Sequence, residues 1–373
     1  MTRKKILILH ISEFGGHSKA AQNIKEAIHY KYQDITAWNL NGFQYFYSYL
    51  EQVVNFFYTI TIKHFPAVWG RLYDRKNVVK TLLPVRGWVN FFAFEKLKQL
   101  VSDYNPACVV ATQAFPCGIF ADYKRRTGSQ IPLIAVVTDY HPHRFWIHPN
   151  VDQYVVACLE AKNFLINEGV SPDKIKILGI PISVKFLEKN DTEVTSKEFG
   201  FRPDIPSVLV MGGGLGMGPI KKIAKQLDDL RGDFQIIVVC GRNRLLYKWF
   251  VKNKPDFKKK LFHFGYTEGI PKLMDFCDII ITKGGGITVS EALAKGLALV
   301  ITEALPGQEE RNVKYLLEQG AIVEVDDPEN IGSAVQELID DKERLLALKT
   351  KAKEISFIDS SLKIVDLILS QIK

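Results

Sequence analysis

Long apolar runs are missing from this 373-residue chain: stretches such as Ile279-Ile280-Ile281 fall far short of the roughly 20 residues that span a bilayer as a helix. Cysteine is scarce. Cys108, Cys117, Cys158, Cys240 and Cys277 form an odd, scattered set with no C-x-x-C pair, which argues against a disulfide framework or a structural metal site and fits a reducing cytoplasm. No Asp-x-Asp pair is present to carry a divalent cation on a diphosphate, and no G-x-x-x-x-G-K-[ST] run marks a P-loop nucleoside triphosphatase. The opening Met1-Thr2-Arg3-Lys4-Lys5 is followed by an apolar stretch, ILILHI, that is too short for a signal peptide. Gly-Gly-His then stands where a cleavage site belongs, so the segment reads as a buried first strand.

What remains is the composition of a globular α/β protein, 47% apolar and 24% charged, with length enough for two domains. Short apolar runs (KILILHI, ACVVAT, PLIAVVTD, QYVVA) alternate with amphipathic stretches, the rhythm of a parallel sheet covered on both faces. A polar, irregular stretch from Glu188 to Pro206 interrupts it, and the rhythm restarts with SVLVMGGG, FQIIVVCG, DIIITKGGG and ALVITEA. The expectation is two doubly wound domains, 1–190 and 191–354, followed by a helical segment, 355–373, with an apolar stripe. Charge is uneven: residues 1–190 carry 23 Lys/Arg against 14 Asp/Glu, and residues 191–373 carry 26 against 27. Within the basic half, residues 43–94 hold 15 of the 42 aromatic residues, interleaved with Lys63, Arg71, Arg75, Lys76, Lys80 and Arg86. Rings and cations at mixed helical spacing suit an anionic membrane interface.

Four strings carry candidate chemistry. Gly15-Gly16-His17-Ser18 follows the first strand and opens a helix, where unpaired N–H groups and an imidazole meet a ligand, and His17 is suited to deprotonating an acceptor hydroxyl. Val208 to Pro219 (VLVMGGGLGMGP) resembles a main-chain cradle for a diphosphate, without the acidic residue expected for a nicotinamide-dinucleotide ribose. Asp278 to Gly296 repeats strand, glycine loop and helix: Gly285, Gly286 and Thr288 are placed to meet phosphate, and Glu291 to accept ribose hydroxyls. The loop that follows offers Gln308 and Glu309, mixed donors and acceptors suited to sugar hydroxyls. In the fourth string, Thr138, Asp139, His141, His143 and His148 lie within 11 residues. They read as an acceptor-side wall rather than a zinc site, with Asp139 orienting or replacing His17 and Trp146 against substrate or core.

Together these strings resemble the processive diacylglycerol glucosyltransferases and monogalactosyldiacylglycerol synthases of glycosyltransferase family 28. The likeness covers nearly the whole chain through GGHSKAA, VVTDYHPHRFWIHPNVDQY, GIPI, MGGGLGMGPI, VVCGRN, GYT, TKGGGITVSEALAKGL and PGQEERN. It implies a GT-B fold, two Rossmann-like domains facing across a cleft, with the nucleotide on the C-terminal one and the last helix crossing back to the N-terminal one. It implies an inverting transfer without a metal or cofactor, from UDP-glucose or UDP-galactose to diacylglycerol or a glycolipid. By the same likeness His17 is the base, with Asp139 as the other candidate; Gly213 and Gly214 meet phosphate; Arg242 and Asn243 line the cleft; Tyr266 borders uracil; Glu291 holds ribose; Gln308 and Glu309 read the hexose. Gly16, His141 and Trp146 belong to the acceptor side. The chain departs from the family in having Gly284 after Lys283 and Ala298 after Leu297, where proline is usual, and in Glu13-Phe14 before Gly15-Gly16.

The expected setting is peripheral, on the cytoplasmic face of a membrane. Transfer to a polyprenyl-diphosphate lipid intermediate and a non-catalytic nucleotide-sugar sensor are the alternatives. No motif speaks for nucleic acid.

Overall fold

The computed structural model describes residues 4–11, 15–46, 94–304 and 307–372. Most of the aromatic-basic insertion expected at 43–94 lies outside the described residues. The chain divides into two units: Met1–Val184 with Pro306–Gln308 and Asp359–Lys373, and Lys185–Leu305 with Glu309–Ile358.

The first unit is built on six parallel strands: β1 (Lys5–His10), β2 (Thr36–Asn41), β3 (Cys108–Ala111), β4 (Leu133–Val136), β5 (Gln153–Val156) and β6 (Ile175–Ile177). Their spatial order is β2-β1-β3-β4-β5-β6. The order reverses between β1 and β3, so the crevice at their carboxyl ends is where a doubly wound sheet takes a ligand. Because helices cover both faces, the strands are continuously apolar: CVVA and LIAV are buried throughout. The closing helix, Ser360–Ser370, sets Ile364, Val365 and Ile368 into this unit's core beside Ile24, Ala27 and Ile28 of the first helix, Gly16–Lys31. It is pinned by Ser361 Oγ, which donates to the carbonyl of Ile182, and by Ser360 Oγ, which accepts from Ile182 N at 3.3 Å.

The second unit repeats the plan with β7 (Ser207–Met211), β8 (Gln235–Val239), β9 (Lys260–Phe264), β10 (Ile279–Thr282), β11 (Ala298–Thr302) and β12 (Ile322–Val325). Their order is β12-β11-β10-β7-β8-β9, with the switch between β7 and β10. SVLVM, QIIVV, IIIT and ALVIT are buried end to end.

The junction corrects one reading. The stretch from Glu188 to Pro206 is not an irregular linker: Thr192–Phe199 is a helix. Asp191 caps it by accepting from Glu193 N and Val194 N at 2.7 and 3.2 Å, and Gly200 ends it in the left-handed conformation. Its buried residues are Thr195 and Ser196, so no aliphatic period betrayed it. Its last residue, Phe199, and Phe201 beyond it pack on Phe262, Phe264 and Phe276, and Asp275 accepts from both Asn190 N and Asn190 Nδ2. The units divide at Val184/Lys185, several residues before the expected 190, because this segment already belongs to the second core.

Candidate active site

At the switch point of the first unit, the helix Gly16–Lys31 starts directly after the loop that leaves β1, and His17 is its second residue. Thr112, which follows β3, faces it. His17 Nδ1 lies 3.0 Å from the carbonyl oxygen of Thr112 and 2.8 Å from Thr138 Oγ1. A carbonyl oxygen only accepts, and an unprotonated ring nitrogen there would set two lone pairs against each other. The partners therefore assign the proton to Nδ1, which donates to Thr112, and Nε2 has no partner among the described residues. Thr112 Oγ1 in turn donates to the main-chain carbonyl of His17 at 2.8 Å, so one threonine fixes both the ring and the backbone of the histidine. Burial lowers the His17 pKa from its usual 6.5 to about 4; the Thr112 carbonyl opposes this, and the neighbouring His10 adds to it. The imidazole is neutral throughout the physiological range. Thr112 escaped the sequence reading because it sits in no glycine loop, and only its place beside β1 in the sheet gives it a role.

Asp139 is buried just beyond β4. Gln308, which groups with the first unit, donates its side-chain amide to the Asp139 carboxylate. His141 packs its ring on Phe164 with centroids 4.7 Å apart. Burial, with His17 and His141 adding, holds His143 neutral at a pKa of about 3. The segment is braced by the Arg144 guanidinium, which donates twice to Glu168 at 2.6 Å, and by Tyr154 Oη, which accepts from His148 N and donates to His148 O. Trp146 corrects an expectation: it is 1% exposed, so it is core beneath the wall and offers no face to an acceptor. No group of three or more potential metal ligands gathers among the described residues.

In the second unit, β7 runs into a tight turn in which Met217 N donates to Gly212 O at 3.0 Å and Gly216 N to Gly213 O at 3.1 Å. Gly216 has φ 60°, and a Cβ there would lie 2.0 Å from the carbonyl oxygen of Cys240. No other residue fits. Asn243 braces this loop: its Nδ2 donates to Gly216 O at 3.1 Å while its Oδ1 accepts from Leu246 N at 2.9 Å, capping the helix Arg244–Asn253. Arg242 N donates to Gly214 O at 3.0 Å, and the Arg242 guanidinium lies 4.7 Å over the ring of Tyr266, which is 57% exposed. The two residues form one cation–aromatic platform.

β10 leads into the second glycine loop and the helix Gly286–Lys295, which starts at Gly286 with Thr288 half-buried near its start and buries Glu291 in its second turn. Gly284, where the family usually has proline, is hemmed in: a Cβ would lie 2.7 Å from Val313 Cγ2, and its carbonyl accepts from Asn312 Nδ2 at 3.1 Å. Lys283 is the residue the sequence reading passed over. Its Nζ donates to Glu309 Oε1 at 2.6 Å, and its Cε is 3.9 Å from where a Cβ would stand at both Gly213 and Gly285. The side chain thus passes between the two glycine loops and ends on the Glu309 carboxylate. A cavity of about 60 Å³ opens here, lined in part by Gly212, Gly218, Thr282, Lys283 and Thr302. The Thr282 and Thr302 hydroxyls are buried without a partner among the described residues, which leaves two polar groups in the cavity lining for water or a ligand.

Two family models match successive parts of the chain. The family model for monogalactosyldiacylglycerol synthase matches residues 17–182, and that for the glycosyltransferase family 28 C-terminal domain matches residues 207–364. The processive diacylglycerol β-glucosyltransferase of Bacillus subtilis (strain 168) is 31% identical over 377 residues, covering 99% of this chain and 96% of the relative. Among solved structures, UDP-bound MnaA of S. aureus matches with a TM-score of 0.65 at 16% identity, over 98% of this chain and 96% of that one. MurG of Acinetobacter baumannii matches at 0.62 and 16%, over 98% and 99%. Both share the fold. The chain is a glycosyltransferase of family 28, a member of the group that comprises the processive diacylglycerol glucosyltransferases and monogalactosyldiacylglycerol synthases.

Proposed function

We propose that this enzyme transfers a hexose from UDP-glucose or UDP-galactose to the hydroxyl of diacylglycerol or a glycolipid, with inversion at the anomeric carbon and without a metal ion, at the cytoplasmic surface of a membrane. The observation that carries the reading is the arrangement at His17: a neutral imidazole whose Nδ1–H is spoken for by Thr112 O at 3.0 Å and whose Nε2 is left to accept a proton. In the proposed step, Nε2 takes the acceptor O–H proton as the oxygen bonds to the anomeric carbon. The bond from that carbon to the diphosphate oxygen breaks, and its electron pair leaves on UDP. Main-chain N–H groups of the glycine loops, the start of the helix Gly286–Lys295 and the Lys283 ammonium supply fixed positive charge where the leaving group's charge grows. Glu291 accepts from the ribose and the Arg242–Tyr266 platform borders uracil. Lys283 keeps the carboxylate of Glu309 from repelling the diphosphate while Glu309 reads the sugar. The names and coverage of the relatives support diacylglycerol as acceptor.

The test is transfer of label from UDP-glucose and from UDP-galactose to diacylglycerol in anionic vesicles, with and without EDTA. A labelled glycolipid that persists in EDTA is expected. Transfer abolished by EDTA overturns the metal-independent step. UDP binding without lipid product from either donor overturns the acceptor.

A further inference from the structure

We infer that the outward face of the helix Arg244–Asn253, on the second unit, docks on an anionic lipid bilayer. Its sequence, RLLYKWFVKN, contains three cations and no carboxylate. Leu246 and Phe250 turn inward to the core of the second unit, with Trp249 packed against it half-buried. The opposite face presents Arg244, Tyr247, Lys248, Val251 and Lys252 along one side, with Leu245 at its edge. Leu245 is 80% exposed and Val251 54%, and both stand among the cations of the helix. Two further cations extend the patch: Lys221 and Lys225 stand 5.3 and 5.6 Å from the ring centre of Trp249. None of the five cations takes part in an ion pair among the described residues, and the two acidic residues that follow Lys225 are occupied, Asp228 accepting from Lys258 N and Lys259 N and Asp229 pairing with Lys258 Nζ at 2.7 Å.

The partner follows from the chemistry. Unpaired cations alone fit any polyanion, but a nucleic acid gives Leu245 and Val251 nothing to enter. A bilayer of anionic lipid offers phosphate to Arg244, Lys248 and Lys252 and an apolar layer just beneath for the two aliphatic side chains. The segregation is local: residues 191–373 as a whole carry 26 Lys/Arg against 27 Asp/Glu, so this face does not reflect a general basic excess. The inference rests on nothing in the transfer chemistry, and it gives the second unit a membrane contact of its own.

All five native cysteines are buried, so Leu245→Cys admits selective labelling with an environment-sensitive nitrobenzoxadiazole dye, and Leu346→Cys, at another exposed leucine, serves as control. The full chain is mixed with vesicles of equimolar phosphatidylglycerol and phosphatidylcholine, or of phosphatidylcholine alone. The dye at 245 is expected to brighten and shift to the blue on the anionic vesicles only, and the dye at 346 to stay unchanged. Lys248→Gln and Lys252→Gln are each expected to lower vesicle partitioning about fivefold. Sedimentation with vesicles while the dye at 245 stays silent would overturn the inference, because docking would then run through another surface. So would absence of vesicle binding, or the same blue shift with dissolved polyuridylic acid. Since these outcomes are read without a donor or acceptor sugar, they stand apart from success or failure of the transfer assay.

Discussion

The two units place their loops at the same topological position, the carboxyl ends of strands beside a switch point, and give them different residues, which the proposed function puts to opposite tasks. In the first, the loop after β1 and the residue after β3 trap one imidazole between a carbonyl and a hydroxyl, in surroundings that hold it neutral. In the second, the loops after β7 and β10 remove side chains through glycine and add a single ammonium, Lys283. A desolvated neutral nitrogen is a proton acceptor, and exposed main-chain donors beside a cation form an anion cradle. One fold serves both because the sheet fixes only where the loops emerge, while loop composition decides their chemistry.

The sharpest way to break this division is His17→Ala, expected to lower single-turnover transfer about 10²–10⁴-fold. A loss smaller than tenfold moves the base to Asp139. Next is Lys283→Ala, expected to weaken UDP binding about tenfold or more by calorimetry, as loss of a charge-assisted contact does. Because this change also strands the buried Glu309 carboxylate, Lys283→Ala with Glu309→Gln is the companion, and restored affinity in the pair would show that the cation serves Glu309 rather than the diphosphate. A third expectation concerns pH. With a folded-state pKa of about 4, His17 stays unprotonated well below neutrality, so the acid limb of kcat/KM falls near pH 4 to 5 rather than near 6.5. The same shift acts on stability. The unfolded chain takes up a proton near pH 6.5 that the folded chain refuses until about 4, so stability is lost as pH falls through that window and levels off below it. Thermal melts at pH 7 and pH 4.5 read the difference, which narrows in His17→Gln. The smallest effect is expected of Thr138→Val: Thr112 still holds the ring, so turnover falls only a few-fold while UDP affinity is unchanged, and Thr138→Ser restores it.

Strands that are buried on both faces cannot hide in a sequence, which is why IIIT, SVLVM and ALVIT announced the two sheets. The helix Thr192–Phe199 did hide, because hydroxyl side chains fill its buried face and periodicity depends on aliphatic contrast. Glycine loops marked the site regions for a similar reason: backbone that must approach a neighbour, as Gly216 approaches Cys240, is written in residue type. Lys283 and Thr112 were illegible because neither acts through its local string. Lys283 reaches Glu309, 26 residues on, and Thr112 reaches His17, 95 residues back, contacts that exist only once the strands are ordered. Trp146, which its string left between substrate and core, is buried in the core.

The most direct test of the division is to titrate UDP into His17→Ala and wild-type protein by calorimetry, and to measure single-turnover transfer on the same preparations. The account predicts equal UDP affinity alongside the loss of transfer. Transfer retained, or UDP affinity lost together with it, would contradict the claim that the first unit carries the proton and the second holds the anion.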